Sequence, residues 1–307
     1  MFIHAHSPFD NSAKDYKHID AVPLAAAMGA EIRGVRARDA TDEQLAEIED
    51  ALFRHKMIFF RDQDMSHGDQ ETFAARLGPF AEDAYTDGIP GHPNIQPLIK
   101  EADARVDWIF GSGWHTDSPF IKEPPAVSVL YAVEVPPYGG DTMWANAALA
   151  YRMLSDRMKE VLEPLKVHMS MRNVFTQVQA HGDPDVDDPI GALARLDPAN
   201  LPESTREKIE GNFHPLIGTH PRTGERSIYC DSSYAIGIEG MKEAEAMPII
   251  SYLADLITSP IMTCRLRWSP GTLTLWDNRL CVHQAFNDYD GFRREFYRCT
   301  IAETPGT

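Results

Sequence analysis

The chain is short of basic residues. Its 29 Lys and Arg stand against 46 Asp and Glu, a formal net charge of −17 over 307 residues. That balance argues against nucleic acid as a partner, because phosphate contacts need cations. An anionic small ligand would need its own local cluster of them. Cysteine is scarce too. None of Cys230, Cys264, Cys281 and Cys299 falls in a CxxC spacing. They read as buried free thiols in a reducing compartment. No segment approaches the ~18 consecutive apolar residues of a membrane span. The opening MFIHAHSPFDNSAKDYK lacks the charged-then-apolar pattern of a signal peptide. A soluble, cytoplasmic protein is expected, with no membrane partner. Repeats and low-complexity linkers are missing as well, and the 43% hydrophobic content is that of a globular core. A single domain over residues 1–307 is expected.

Turn residues and short apolar runs mark the elements that are there. Residues 20–40 suggest short strands around turns. Thr41 and Gln44 form a capping box, after which Leu45, Ile48 and Leu52 recur at helical spacing. MIFFRDQ (57–63) reads as a buried strand, 68–77 as a helix ending at Gly78, 126–135 as a strand and 146–164 as helical. Residues 179–212 are acidic, rich in Asp and Pro and without clear period, as expected of an active-site lid or an insert. Further on, MTCRLRW (262–268) alternates apolar and polar residues, and LTLWD (273–277) follows the turn SPG. In REFYRCTIA (294–302), Arg294, Phe296, Arg298 and Thr300 share one face of a strand. Many short strands with few helices predict a mainly β fold, a sandwich or jelly roll with helices packed outside.

The chemistry centres on GWHTDSPF (113–120). His115 and Asp117, two positions apart at a strand edge, can offer an imidazole nitrogen and a carboxylate oxygen to one metal ion. One more histidine would complete a 2-His-1-carboxylate triad, which leaves three positions open for Fe(II) and oxygen chemistry. The alternative is a polar turn between strands. His283 is the candidate third ligand, following LTLWD. His214 and His220, in HPLIGTHPRTG, compete with it or simply shape a turn. His4, His6, His18, His55, His67, His92, His168 and His181 carry no ligand spacing. Arg294 and Arg298 are either paired in cross-strand salt bridges or kept for carboxylates, which a guanidinium grips bidentately.

Together the blocks HKMIFFRDQ, GWHTDSPF, PPYGGDTMWAN, HPLIGTHPRTGERSIYC, LTLWDNRLCVHQAFNDY and RREFYRCTI resemble the Fe(II)- and 2-oxoglutarate-dependent dioxygenases of the taurine dioxygenase and 2,4-dichlorophenoxyacetate dioxygenase group, over residues 20–303. The resemblance implies a double-stranded β-helix, a jelly-roll core flanked by helices. It implies that His115, Asp117 and His283 bind iron, and that Thr142 and Arg294 hold the distal carboxylate of 2-oxoglutarate. Arg298 would grip the acidic group of the substrate, with Phe175 and Tyr234 as aromatic pocket residues. Two positions depart from taurine dioxygenase. Asp83 stands about where that enzyme has a histidine at its substrate, and Gly111 where it has an asparagine. The amine-end contacts for taurine are thus missing.

The implied reaction consumes O2 and decarboxylates 2-oxoglutarate to succinate and CO2 while hydroxylating a small anion, such as a sulfonate or an aryloxyalkanoate. Another small carboxylic or amino acid is the rival substrate, and a non-redox metal-binding jelly roll the rival class. Family members are often dimers or tetramers, so a homo-oligomer is an expectation.

Overall fold

The computed structural model describes residues 9–82, 84–85, 88–104, 111–185 and 189–303. The chain opens with a hairpin of β1 (Asp20–Pro23) and β2 (Ala30–Arg33). Thr41 caps α1 (Asp42–His55): its hydroxyl accepts from Gln44 N, and the Gln44 side chain accepts from Thr41 N. Lys56, at φ 68°, ends that helix and starts β3 (Met57–Phe60). Ser66 and Asp69 make a second capping box on α2 (His67–Ala75). This helix stops short of Gly78, because Arg76 N and Leu77 N bond back only three residues, to Phe73 O and Ala74 O. β4 (Gln96–Lys100), β5 (Val127–Glu134) and β6 (Thr142–Asn146) follow.

The helix expected over 146–164 is two, α3 (Ala147–Met153) and α4 (Asp156–Leu162). Ser155 takes an extended backbone between them and caps the second through Met158 N. After β7 (Lys166–Met169) come α5 (Arg172–His181), α6 (Pro189–Ala194) and α7 (Glu203–Glu210). The aperiodic stretch 179–212 therefore holds two short helices. Side chains tie this region together where an apolar stripe would be expected: Gln179 Nε2 donates to Leu193 O at 2.7 Å, at the end of α6. The chain closes through β8 (Asn212–Pro215), β9 (Ile217–Thr219), β10 (Arg226–Ile228), β11 (Ala235–Ile238), α8 (Glu243–Ile257), β12 (Thr263–Leu266), β13 (Leu273–Asp277), β14 (Cys281–Ala285) and β15 (Arg294–Ile301). Among the described residues, no helix is long and apolar enough to cross a membrane.

A seven-stranded sheet runs β1-β2-β3-β13-β5-β15-β4, and a three-stranded sheet runs β12-β6-β14. Alternation along the strands of the large sheet divides the core in two. Ile58, Phe60, Val129, Leu275 and Cys299 face α1 and α2, where Ile48, Leu52 and Phe73 meet them. Phe59, Leu130, Trp276 and Phe296 face the other way, onto Trp144, Cys264 and Val282 of the small sheet. The faces read from the sequence for β12 and β15 are those observed, and all four cysteines are free and buried.

His220, a competitor for the metal, serves this framework. Its Nε2 donates to Asp277 Oδ2 at 3.0 Å, and its Nδ1 accepts from Thr223 N at 3.2 Å. Arg279 grips the same carboxylate through Nε and Nη2 at 2.9 and 2.6 Å. Burial alone would raise the Asp277 pKa, but Arg279 and His220 hold it well below the usual carboxylate range. The stability it contributes is present above the ordinary carboxylate pKa and is lost as pH falls through the lowered one. Replacing Asp277 with Ala strands two buried partners. The expected loss is about 3–5 kcal/mol, read as a lower urea midpoint with an unchanged m-value.

Candidate metal centre

His115 is fastened to β14 by its backbone. His115 N donates to His283 O at 2.9 Å, and His283 N to His115 O at 2.7 Å. The two imidazoles therefore lie side by side, ring centroids 4.1 Å apart. Asp117 reaches the same point, and one donor atom from each of His115, Asp117 and His283 lies within 4.8 Å of the others, all three residues buried. The turn before them is shaped by glycine. Gly111 sits at φ +80°, where a Cβ would come within 3.1 Å of His115 Cε1.

The protonation states suit a metal. His115 Nδ1 lies 2.8 Å from Gly113 O, which can only accept, so the proton is on Nδ1 and Nε2 is free. Burial pushes the pKa of both imidazoles down, and for His283 the neighbouring His115 adds to it, so both are neutral. Burial works the other way on Asp117, but the Arg298 guanidinium foremost, with the Ser128 hydroxyl, outweighs it, leaving its pKa at about 2. Two neutral imidazoles and an ionised carboxylate are the donor set a divalent ion requires.

A second layer holds that carboxylate. Ser128 Oγ donates to Asp117 Oδ2, and Asn278 Nδ2 donates to Ser128 Oγ at 2.9 Å. Asn278 Oδ1 accepts from Asp117 N at 3.3 Å and from Trp276 Nε1 at 3.0 Å. Asp231 steadies the same loop, accepting from Thr116 N at 3.3 Å and Tyr234 N at 2.7 Å. Burial raises its pKa to about 7, although these backbone bonds oppose the rise.

Beside this cluster lies a second polar set. Trp268 Nε1 donates to Thr142 Oγ1 at 3.0 Å, which leaves the Thr142 proton for another acceptor. The Trp268 ring is 4.8 Å from Phe296, and the Arg294 guanidinium carbon is 3.7 Å from the Phe296 centroid. Arg294 is buried, and its Nε has no hydrogen-bond partner among the described residues. Burial lowers its pKa to about 10, against the opposing pull of Tyr289, so it remains a cation at neutral pH. A buried guanidinium without a hydrogen-bond partner among the described residues, joined through Phe296 and Trp268 to a hydroxyl with a free proton, fits a carboxylate. Arg298 makes no cross-strand salt bridge with the residues recorded as pairing with it on β4 and β5. Its Nη1 donates to Asp117 Oδ1 at 2.7 Å instead.

The remaining expectations divide. Tyr234 stands 6.3 Å from His115 and 5.2 Å from Phe120, ring to ring. Phe175 is buried on α5 beside Val174 and Val178. Among the described residues it makes no ring contact with Tyr234, Phe120 or His115. Asp83 lies outside the described residues. His214 packs on Tyr229 at 5.7 Å and is not among the three residues whose donor atoms converge. Sequence reading missed Tyr85, whose hydroxyl is 3.0 Å from that of Tyr234. It also missed Ser128, Asn278, Asp231 and all of β4. That strand contains Pro97, which reads as a break and is tolerated only because β4 is an edge strand.

A buried 2-His-1-carboxylate set is the donor arrangement of a mononuclear non-haem iron oxygenase. The chain belongs to the family described as taurine catabolism dioxygenase TauD, TfdA family, which matches residues 20–300. It is 32% identical to an alpha-ketoglutarate-dependent sulfate ester dioxygenase of Pseudomonas putida, over 92% of this chain and 89% of that protein. It is 31% identical to an alkylsulfatase of Acinetobacter baylyi, over 91% and 83%. A crystal structure of a taurine dioxygenase from Burkholderia xenovorans superposes with a TM-score of 0.75 at 30% identity, covering 94% of this chain and 92% of that one. The chain is accordingly an oxidoreductase, a dioxygenase that depends on Fe(II), 2-oxoglutarate and O2.

Two substitutions separate the ligands from their support. His283→Ala should abolish Fe(II) binding measured anaerobically by titration. Ser128→Ala should leave the fold intact and weaken Fe(II) binding roughly 10- to 100-fold, the range for lost outer-shell partners. An unchanged affinity in the first variant would mean a wrong ligand set.

Proposed function

We propose that this dioxygenase hydroxylates a small organic anion with an apolar body, a sulfate ester in the first place. Bound iron would supply the oxidative decarboxylation of 2-oxoglutarate to succinate and CO2 and the oxidation of one substrate C–H bond. The chain's own part is positioning. His115, Asp117 and His283 would hold the ion. Arg294 and Thr142 hold the distal carboxylate of 2-oxoglutarate. Arg298 holds the acidic group of the substrate, whose body rests on Tyr234, Phe120 and Tyr85. Hydroxylation of the carbon bearing a sulfate ester gives an unstable adduct that collapses to an aldehyde and sulfate, so no strong general base is needed.

The observation that carries this reading is a cation, Arg298, within 2.7 Å of Asp117, in a cluster whose His115 has the Tyr234 ring 6.3 Å away, with Phe120 5.2 Å beyond that ring. The relatives that cleave sulfate esters support the choice of head group. A non-redox metal protein would have no use for Thr142 and Arg294. In this reading the two packed sheets are a double-stranded β-helix, residues 179–212 form the lid, and Phe175 lines the pocket when the lid closes. The strong negative charge fits a cytoplasmic enzyme whose partner is its small substrate and not nucleic acid.

Adding 2-oxoglutarate to the anaerobic Fe(II) protein should produce the weak visible charge-transfer band of the chelate. Arg294→Ala should lose that band while still binding Fe(II), and loss of iron in this variant would refute its assigned role. With O2 present, medium-chain alkyl sulfates should stimulate succinate release more than taurine does. Arg298→Ala should lose that stimulation and keep the band. Equal stimulation by taurine would overturn the substrate class.

A further inference from the structure

β4 is the last strand of the large sheet and pairs only with β15. In their register Lys100 lies opposite Arg294, Leu98 opposite Phe296 and Gln96 opposite Arg298. Directly opposed residues on antiparallel strands share a face, so Lys100 emerges beside Arg294. Both residues are only 8% exposed. They converge on one ring: Lys100 Nζ is 4.4 Å from the Tyr289 centroid, and the Arg294 guanidinium carbon is 6.0 Å from it.

Such a pair is costly by itself. Like charges directly opposed across strands destabilise a sheet, and burial removes the water that would screen them. Lys100 has an ion pair with Asp290 at 3.6 Å, but the Asp290 side chain is 82% exposed and beyond hydrogen-bond range. Lys100 Nζ and Arg294 Nε are both buried without a hydrogen-bond partner among the described residues. A lysine that merely packed its stem on Tyr289 would carry its ammonium out to water. Here the ammonium is buried at the end of the strand that carries Arg294. Gln96, opposite Arg298, is four residues or about 13 Å away along the strand.

We propose that Lys100 is a second cation for the distal carboxylate of the 2-oxo acid, acting with Arg294 so that the pocket selects dianionic co-substrates. This rests on the reading that Arg294 holds 2-oxoglutarate. Two acids with the same head group separate the possibilities: 2-oxoglutarate, and 2-oxopentanoate, which lacks the distal carboxylate. Each is titrated into the anaerobic Fe(II) protein and followed by the visible band, with iron content and Tm measured alongside.

In Lys100→Met the dissociation constant for 2-oxoglutarate should rise roughly 10- to 100-fold, with that for 2-oxopentanoate unchanged. Lys100→Arg should restore most of the affinity. Lys100→Gln serves the same purpose should the Met variant fail to fold. Wild-type affinity for 2-oxoglutarate in the Met or Gln variant would overturn the proposal. So would an equal loss for both acids, which would mark a purely structural lysine. If the wild-type protein gave no band with either acid, the reading of Arg294 would fall first and this proposal with it.

Discussion

The exchange of both backbone hydrogen bonds between His115 and His283 sets the position of everything else in the site. One partner belongs to a loop and the other to β14, a strand held against β6 and packed under Trp144 and Trp276. The loop ligand thus inherits the rigidity of a sheet. Asp117 then needs only two more residues of chain to reach the same point. Ser128 and Asn278, both from the buried region around β5 and β13, fix its carboxylate and backbone. A metal site tolerates little angular error in its ligands, so a loop tied to a strand is a physically economical way to build one.

The same construction explains which parts of the site were legible in the sequence. His115, Asp117 and His283 sit in short motifs, and their donor atoms converge. The roles expected of Thr142, Arg294 and Arg298 came from the resemblance of their motifs, while the shared face of the two arginines was legible in the alternation of their strand. The alternation in β12 likewise survives in the structure, because one face of that strand packs on the core and the other meets solvent. What could not be read depends on long-range register. Nothing in the order of residues says that Gln96 and Lys100 lie opposite Arg298 and Arg294, some 200 positions away. The supporting Ser128 and Asn278 come together only through the pairing of β5 with β13.

Local errors have local causes. The stretch 146–164 keeps a helical period through Ser155, yet Ser155 is a better cap than an interior residue, and the helix breaks there. In 179–212 no apolar period is legible, yet short helices form with Ile190 in the core and Leu193 and Ile209 packed against it, and Gln179 Nε2 donates to a carbonyl at the end of the neighbouring helix. Phe175, expected from the resemblance as a pocket residue, is buried on α5 in the same apolar cluster as Phe120 and Tyr234.

Among the described residues β4 has one neighbouring strand, β15, and is the edge of the sheet. Edge strands of this kind open before the sheet as a whole does. Lys100 and Gln96, which lie opposite the two arginines, are therefore mounted on the part of the sheet most prone to fray. An anion that spans the seam between β4 and β15 would clamp that edge, and its binding energy would appear as slower hydrogen exchange along Gln96–Lys100. The strand thus acts as a gauge: its local protection reports how full the site beside it is.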